Sequence, residues 1–282
     1  MSLGMASFIA NDALVKFVSQ SLPAAQLIFL RGLMATLLLL VVAQALGLLR
    51  HPGGATHGPL QQLLQRRVLL RSGVDAVAGM AYLAALFHMP LGNATAINMA
   101  TPLFLTLYVA LFRGEQVGPG RWLLIGGGFA GVLLIVQPAA AGFNAWSLLC
   151  LAATMLHAVR DLLTRGIPRG IPSVMVTLST ALAVTLLAGL LSLVEGWQPF
   201  GARQLGLLAV ASIFLCGGYY LVILCMREGD VSVIAPFRYT SLLFALVIGW
   251  LVWGDVPNAL AWGGIGVLLA SGLAMLRSAR AG

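Results

Sequence analysis

A few charged and polar side chains stand inside stretches apolar enough to cross a bilayer, and they are where chemistry is to be sought. Asp12 lies near the middle of the first such stretch, with Asn11 beside it and Lys16 one turn further on. Arg31 falls in the outer half of the second stretch, and His157, Arg160 and Asp161 share one face of the sixth at i, i+3 and i+4. Asn98 and Thr101 share a face of the fourth, and Arg238 lies roughly 10 Å into the ninth at 1.5 Å per residue. A charge at the bilayer centre costs about 2.5–3.5 kcal/mol on insertion scales, so such residues pair, line a watery cavity or carry ions. Asp12 and Lys16, four apart, are expected to pair.

The bland alternative differs from residue to residue. Lys16, Arg31 and Arg160 are close enough to an interface to snorkel. Asp161 with Arg165, and Asp75 with Arg71, read as structural pairs near the cytoplasmic surface. Asp12 has too short a side chain to reach water, and Arg238 sits between Phe237 and Tyr239 with no acid within a turn. These two, with Asn98, are the leading candidates to face a cavity. Tyr82, Tyr219 and Tyr220 could stack on a ligand or serve as ordinary membrane aromatics. Asp12, Asp161 and His157 are the intramembrane candidates to carry a proton.

Other chemistry finds little support. No HExxH, GxSxG or paired Asp on facing spans is present, so an enzyme is not expected. Neither a nucleotide-hydrolysing domain nor a cofactor or metal motif appears. The run GGGFAGVLLI has no strand before it and no Lys-Ser/Thr after it. The three cysteines all lie within apolar stretches and read as packing.

What must hold these residues is set by composition. Sixty per cent of the 282 residues are hydrophobic and 9% charged, with a mean hydropathy of +0.98. Soluble domains carry about 25% charged residues, so lipid is the solvent. Ten stretches meet the roughly 20-residue requirement for a span: 3–21, 24–49, 68–89, 91–112, 119–137, 145–165, 171–194, 203–226, 231–253 and 258–277. Runs such as LMATLLLLVVAQALGLL lack the alternation of barrel strands, so the spans are helices. The net charge of +8 does not indicate nucleic acid. Arg50, Arg66, Arg67, Arg71, Arg113, Arg121, Arg165, Arg169, Arg227, Arg277 and Arg280 all fall on one side if the spans alternate, against Arg203 on the other. That is the positive-inside pattern with both termini cytoplasmic. The first stretch leads through Lys16 to another span rather than to a cleavage site, which argues for retention.

The chain also repeats itself. GNATAINMATPLFLTLYVALFRGEQ and GDVSVIAPFRYTSLLFALVIGWLVWGDV align Gly92 with Gly229 and Ile97 with Ile234. After a three-residue insertion, Gly114-Glu115 aligns with Gly254-Asp255 and Trp122 with Trp262. A unit of five spans places its second copy upside down, the arrangement of carriers that open alternately to two sides. The expected units are 1–141 and 142–282 of one polytopic domain. LVKFVSQSLP loosely matches AVRDLLTRGIP, setting Lys16 against Arg160 as elements of two gates. Pro102 and Pro236 interrupt one helix of each copy, either as cavity-lining breaks or as harmless kinks. Glycines at 127 and 131, and at 263, 264 and 266, would let spans 5 and 10 approach closely. The segment LQQLLQRR reads as a short interfacial helix.

NDALVKF…LPAAQLIFLRG, LGNATAINMATPLF, the GE and GD after spans 4 and 9, and the glycine-rich closing helices resemble the drug/metabolite transporter superfamily, specifically its ten-helix EamA-type members, along the whole chain. The resemblance implies two inverted five-helix repeats around a central cavity formed by spans 1, 3, 4, 6, 8 and 9, with spans 5 and 10 peripheral. It puts Asp12, Tyr82, Asn98, His157, Tyr219 and Arg238 on cavity-forming spans as substrate-binding candidates, with Lys16, Arg31, Arg160 and Asp161 as gating or coupling residues. It further implies a secondary transporter of the bacterial inner membrane that moves small amphiphilic metabolites by alternating access. The foremost expectation is export of amino acids, including aromatic and apolar ones. The alternative is uptake of a nucleoside- or vitamin-like metabolite of the S-adenosylmethionine or riboflavin type. The partners expected are a zwitterionic small molecule and the bilayer, with the chain acting as a monomer.

Overall fold

The computed structural model describes residues 1–49, 58–113, 118–137, 144–168, 170–228 and 235–278. Twelve α-helices and one 3-10 turn account for nearly all of them, and no strand occurs among the described residues. In lipid each backbone N–H and C=O must be satisfied within its own segment, and helices do this. The helices are α1 (Ser2–Val18), α2 (Ala24–Ala45), the short α3 (Pro59–Leu63), α4 (Arg66–Phe87), α5 (Leu91–Asn98), α6 (Thr101–Arg113) and α7 (Pro119–Val136). The second half has α8 (Trp146–Thr164), α9 (Ser173–Glu195), α10 (Ala202–Glu228), the 3-10 turn Ala235–Tyr239, α11 (Thr240–Trp253) and α12 (Ala259–Ser278). These give the ten expected spans, with the fourth divided into α5 and α6 and the ninth into the turn and α11. The interfacial helix is α3, shorter than its sequence suggests because Arg66 and Arg67 already begin α4. The Gly114-Glu115 and Gly229–Ile234 portions of the repeat, and the basic residues 50, 169 and 280, lie outside the described residues.

Prolines and left-handed residues mark the ends. Pro23, Pro90 and Pro172 precede α2, α5 and α9, where a missing N–H costs nothing. Gly254 ends α11 at φ 70°, a conformation that a β-carbon would penalise.

Every principal helix contact recurs with its counterpart from the other half. The α1–α10 contact corresponds to α4–α8, α1–α11 to α8 with α5 and α6, and α2–α10 to α4–α9. The pairs α2–α9, α5–α11 and α7–α12 each join a span to its own equivalent. Paired contacts of this kind are what two copies related by a twofold axis produce. The halves run in opposite senses. At one end Gln26 donates from Nε2 to the Gln198 carbonyl, Asn144 donates to the His88 carbonyl and Gln137 donates to Asn258. At the other end Met1 lies beside Cys225, and Arg67 donates to the Gly166 carbonyl. Span 1 therefore ends on the face where its counterpart α8 begins.

The α7–α12 pair is held by the absence of side chains. A β-carbon at Gly264 would lie 2.6 Å from the Gly131 carbonyl oxygen, and one at Gly131 would lie 2.8 Å from that of Gly264. Gly263 faces open space. Overpacking of this kind costs typically 1–3 kcal/mol. Gly264→Val is expected to lower the unfolding temperature of the purified protein by several degrees, and Gly263→Val to leave it unchanged within error in the same thermal melt.

Candidate functional site

Five of the six residues proposed to bind substrate fall in or beside one interior polar array. On α1, Asn11 donates from Nδ2 to Asp12 Oδ1 at 2.9 Å. The Tyr82 hydroxyl of α4 donates to Asp12 Oδ2 at 3.3 Å. The Tyr82 ring lies 6.0 Å from that of His157 on α8, whose Nδ1 is 3.0 Å from Asn98 Oδ1 at the end of α5. From α2, Arg31 donates through Nη1 to Asn11 Oδ1 at 3.2 Å. Asn11, Arg31, Tyr82 and His157 are all buried. Tyr219 of α10 packs edge-on against Phe8 of α1 at 5.0 Å. Its neighbour Tyr220 turns outward, 67% exposed, and takes no part.

A broken helix positions the centre of this array. Pro102 has no N–H to offer the Asn98 carbonyl, so the ladder stops and α5 ends there. The Thr101 hydroxyl takes over that carbonyl at 2.7 Å. Released from the helix interior, the Asn98 side chain reaches His157. In the second half, a 3-10 turn at Ala235–Tyr239 leads directly into α11, and the Thr240 and Ser241 hydroxyls donate to the Phe237 and Arg238 carbonyls at 2.6 and 2.8 Å. Pro102 thus marks a real interruption rather than a mild kink, while the residues before Ala235 lie outside those described.

Arg238 is the residue the structure does not bring to the array. It stands exposed on the 3-10 turn, whose three residues per turn, in place of 3.6, aim side chains differently from the regular helix that was expected to carry it inward. Phe237 beside it lines an open depression of about 380 Å³ with Met1, Ser2 and Leu3.

Two ion-pair clusters flank the array towards opposite ends. At one end, Arg160 Nη1 meets Asp75 Oδ1 at 3.0 Å and Arg71 Nη2 meets Asp75 Oδ2 at 3.2 Å. Arg160 also holds Asp161 at 2.8 Å. Arg71 reaches across to hydroxyls on α8 and α9, donating to Thr164 and Thr180. At the other end, Lys16 donates from Nζ to the Met89 carbonyl at 2.6 Å, lies 3.8 Å from Asp255 and sits 4.9 Å over the Trp253 ring. Lys16 and Asp12 therefore do not pair, although they are four apart. Asp12 accepts from Asn11 and from Tyr82 of α4, while Lys16 turns to the loop residues Met89 and Asp255. Asp161 likewise takes Arg160 in place of Arg165.

Sequence reasoning gave Asp75 too small a part. It is 5% exposed and is shared by two guanidinium groups, although its place about 13 Å into α4 was a readable sign of burial. Asp255 was seen only as part of a repeated motif. Among the described residues no three His, Cys, Asp or Glu side chains gather as a metal site.

A multi-pass helical protein with a polar interior and a helix broken inside it has the arrangement that membrane transporters use. The sequence profile of the EamA-like transporter family matches residues 1–137 and again residues 144–277. The chain belongs to the EamA-like transporter family. Among its relatives, the riboflavin transporter of Rhizobium johnstonii is 29% identical over 79% of this chain and 72% of its own length. The pseudopaline exporter CntI of Pseudomonas aeruginosa is 28% identical over 96% of this chain and 93% of its own. The S-adenosylmethionine uptake transporter of Rickettsia bellii is 22% identical over 98% and 91%. A solved crystal structure shares the fold, with a TM-score of 0.64 at 18% identity over 99% of this chain and 96% of that one.

Removing one partner of a buried ion pair costs about 3–5 kcal/mol, because the other charge is stranded. Asp75→Asn is expected to destabilise the protein by that order in equilibrium unfolding. The double variant Asp75→Asn/Arg160→Gln should lose clearly less than the sum of the two single changes.

Proposed function

We propose that this protein exports small zwitterionic amphiphiles, chiefly amino acids with aromatic or apolar side chains, across the bacterial inner membrane by alternating access. The observation that carries this reading is the interior array itself. One carboxylate, one guanidinium, two amides, an imidazole and two tyrosines face one another at membrane depth. Such a set is costly unless a polar solute uses it. A substrate with equal and opposite charges leaves the net charge of the site unchanged, and the Tyr82, Phe8 and Tyr219 rings suit an apolar side chain. The match with an exporter over nearly the full length of both chains agrees with the outward direction. The arginine distribution favours cytoplasmic termini, and a single chain holds the whole array.

Gating follows from the two flanking clusters. Lys16 and Arg160 occupy related places in the two halves and lie towards opposite faces. In our reading Lys16 with Asp255 closes the outer end, while Arg160 with Asp75 and Asp161 belongs to the inner one. The two halves would then rock about the array, exposing it to one side at a time. A second reading, inward movement of a vitamin- or nucleoside-like metabolite, is favoured by the names of the riboflavin and S-adenosylmethionine relatives.

Proteoliposomes preloaded with labelled amino acids should release aromatic and apolar ones well above empty vesicles. No flux across a broad panel, together with riboflavin or S-adenosylmethionine uptake, would replace the first reading by the second. For the gates, a cysteine at Asn93, which lines a small cavity beside Asp255, serves as reporter. Lys16→Gln is expected to raise its labelling by an impermeant maleimide from the outer face and to slow net flux. Arg160→Gln should slow flux without raising that labelling. Unchanged flux and labelling in both variants would remove these residues from gating.

A further inference from the structure

Arg31 and Asp12 are both held in the interior, yet they do not touch. The Asn11 carboxamide lies between them, its oxygen accepting from the guanidinium at 3.2 Å and its amide donating to the carboxylate at 2.9 Å. That placement leaves Arg31 poorly served. The residue is 7% exposed, and its Nε has no hydrogen-bond partner among the described residues. Its described side-chain contact is a neutral oxygen, at a distance longer than the about 2.7–2.9 Å of charge-assisted bonds. A guanidinium offers five donors in a fork that suits a carboxylate. A buried cation with an unused donor, bonded through Nη1 to the amide beside Asp12, is placed to receive an anionic group.

We infer that the Asn11 amide stands in for the head of an α-amino acid, and that substrate displaces it by setting its carboxylate on Arg31 and its ammonium on Asp12. The amide presents an acceptor to the cation and a donor to the anion. An α-amino acid presents the same pair at comparable spacing with full charges, so exchange turns neutral hydrogen bonds into charge-assisted ones. Tyr82, which donates to the second Asp12 oxygen, and the Phe8–Tyr219 pair stand where the side chain of the ligand would project. Arg31 thereby becomes a substrate-binding residue rather than a gating one. The inference rests on the transport reading above and names the chemical head that the site selects. The competing role for Arg31 is a fixed counter-charge to Asp12.

The test is ligand-dependent thermal stabilisation of the purified full chain, titrated with three probes. L-Phenylalanine carries both charges, L-phenylalaninamide lacks the carboxylate and 3-phenylpropionate lacks the ammonium. The wild type should bind phenylalanine about tenfold or more tighter than either truncated probe. Arg31→Gln should bring phenylalanine and its amide close to equal affinity while keeping the preference over phenylpropionate. Asp12→Asn should do the reverse. Asn11→Ala should bind phenylalanine more tightly than wild type, because the internal competitor for Arg31 and Asp12 is gone, whereas an asparagine with a purely structural role would leave binding unchanged or weaker. Equal affinity of the wild type for the three probes would overturn the inference without recourse to any variant. So would an Arg31→Gln protein that still separates acid from amide, and so would no shift with any proteinogenic α-amino acid. Amino-acid flux combined with unaltered selectivity in Arg31→Gln would sink this inference and leave the proposed function standing. Inward movement of a larger metabolite bearing an α-amino acid head, with the selectivity intact, would do the opposite.

Discussion

Charge in lipid must be answered by something, and that constraint organises this molecule. Its intramembrane ionic groups are spread over α1, α2, α4 and α8, and pairs within one helix, Arg71 with Asp75 and Arg160 with Asp161, are joined by contacts between helices. Asp75 on α4 needs Arg160 from the other half, and Lys16 on α1 needs the Met89 carbonyl and Asp255. The hydrophobic effect gives no net pull between helices already surrounded by hydrocarbon. Association therefore rests on close packing and on these polar contacts. The division of labour is visible: α7 and α12 meet through glycine backbones at the periphery, while the central helices meet through side-chain hydrogen bonds and ion pairs.

The broken helices are where this constraint meets function. A carbonyl freed by Pro102 would be costly in lipid, and Thr101 answers it from within the same segment. The outcome is a helix end inside the membrane, stable because it is buried in protein, with Asn98 projecting towards His157. In the second half, Thr240 and Ser241 hydroxyls answer carbonyls of the 3-10 turn that leads into α11. The interruption at Pro102 gives the interior a polar lining without exposing backbone to hydrocarbon.

Much of this was legible before any coordinates. The ten spans follow from hydropathy because lipid leaves the backbone little choice, and most boundaries agree to within a few residues with helices ended by proline or glycine. The membership of the array was largely legible too, since Asp12, Asn98 and His157 are conspicuous in apolar surroundings. The partnerships were not. Local spacing predicts Asp12 with Lys16 and Asp161 with Arg165, but Lys16 goes to the distant Met89 carbonyl and Asp255, Asp12 to Asn11 and Tyr82, and Asp161 to the adjacent Arg160. Asp75 was discounted because Arg71 sits one turn away, and sequence could not show that α8 delivers Arg160 to the same carboxylate. Arg238 was misplaced because its depth was counted along a regular helix, whereas Ala235–Tyr239 is wound as a 3-10 turn.

The central claim is that one polar array, shared by two inverted halves, is reached in turn from the two faces of the membrane. A single cysteine at Asn98, introduced with the native cysteines replaced, tests it most directly. In vesicles of known orientation, an impermeant thiol reagent should modify that cysteine from either face, and saturating substrate should protect it from both. Modification from one face alone under transport conditions, or from neither, would contradict the account.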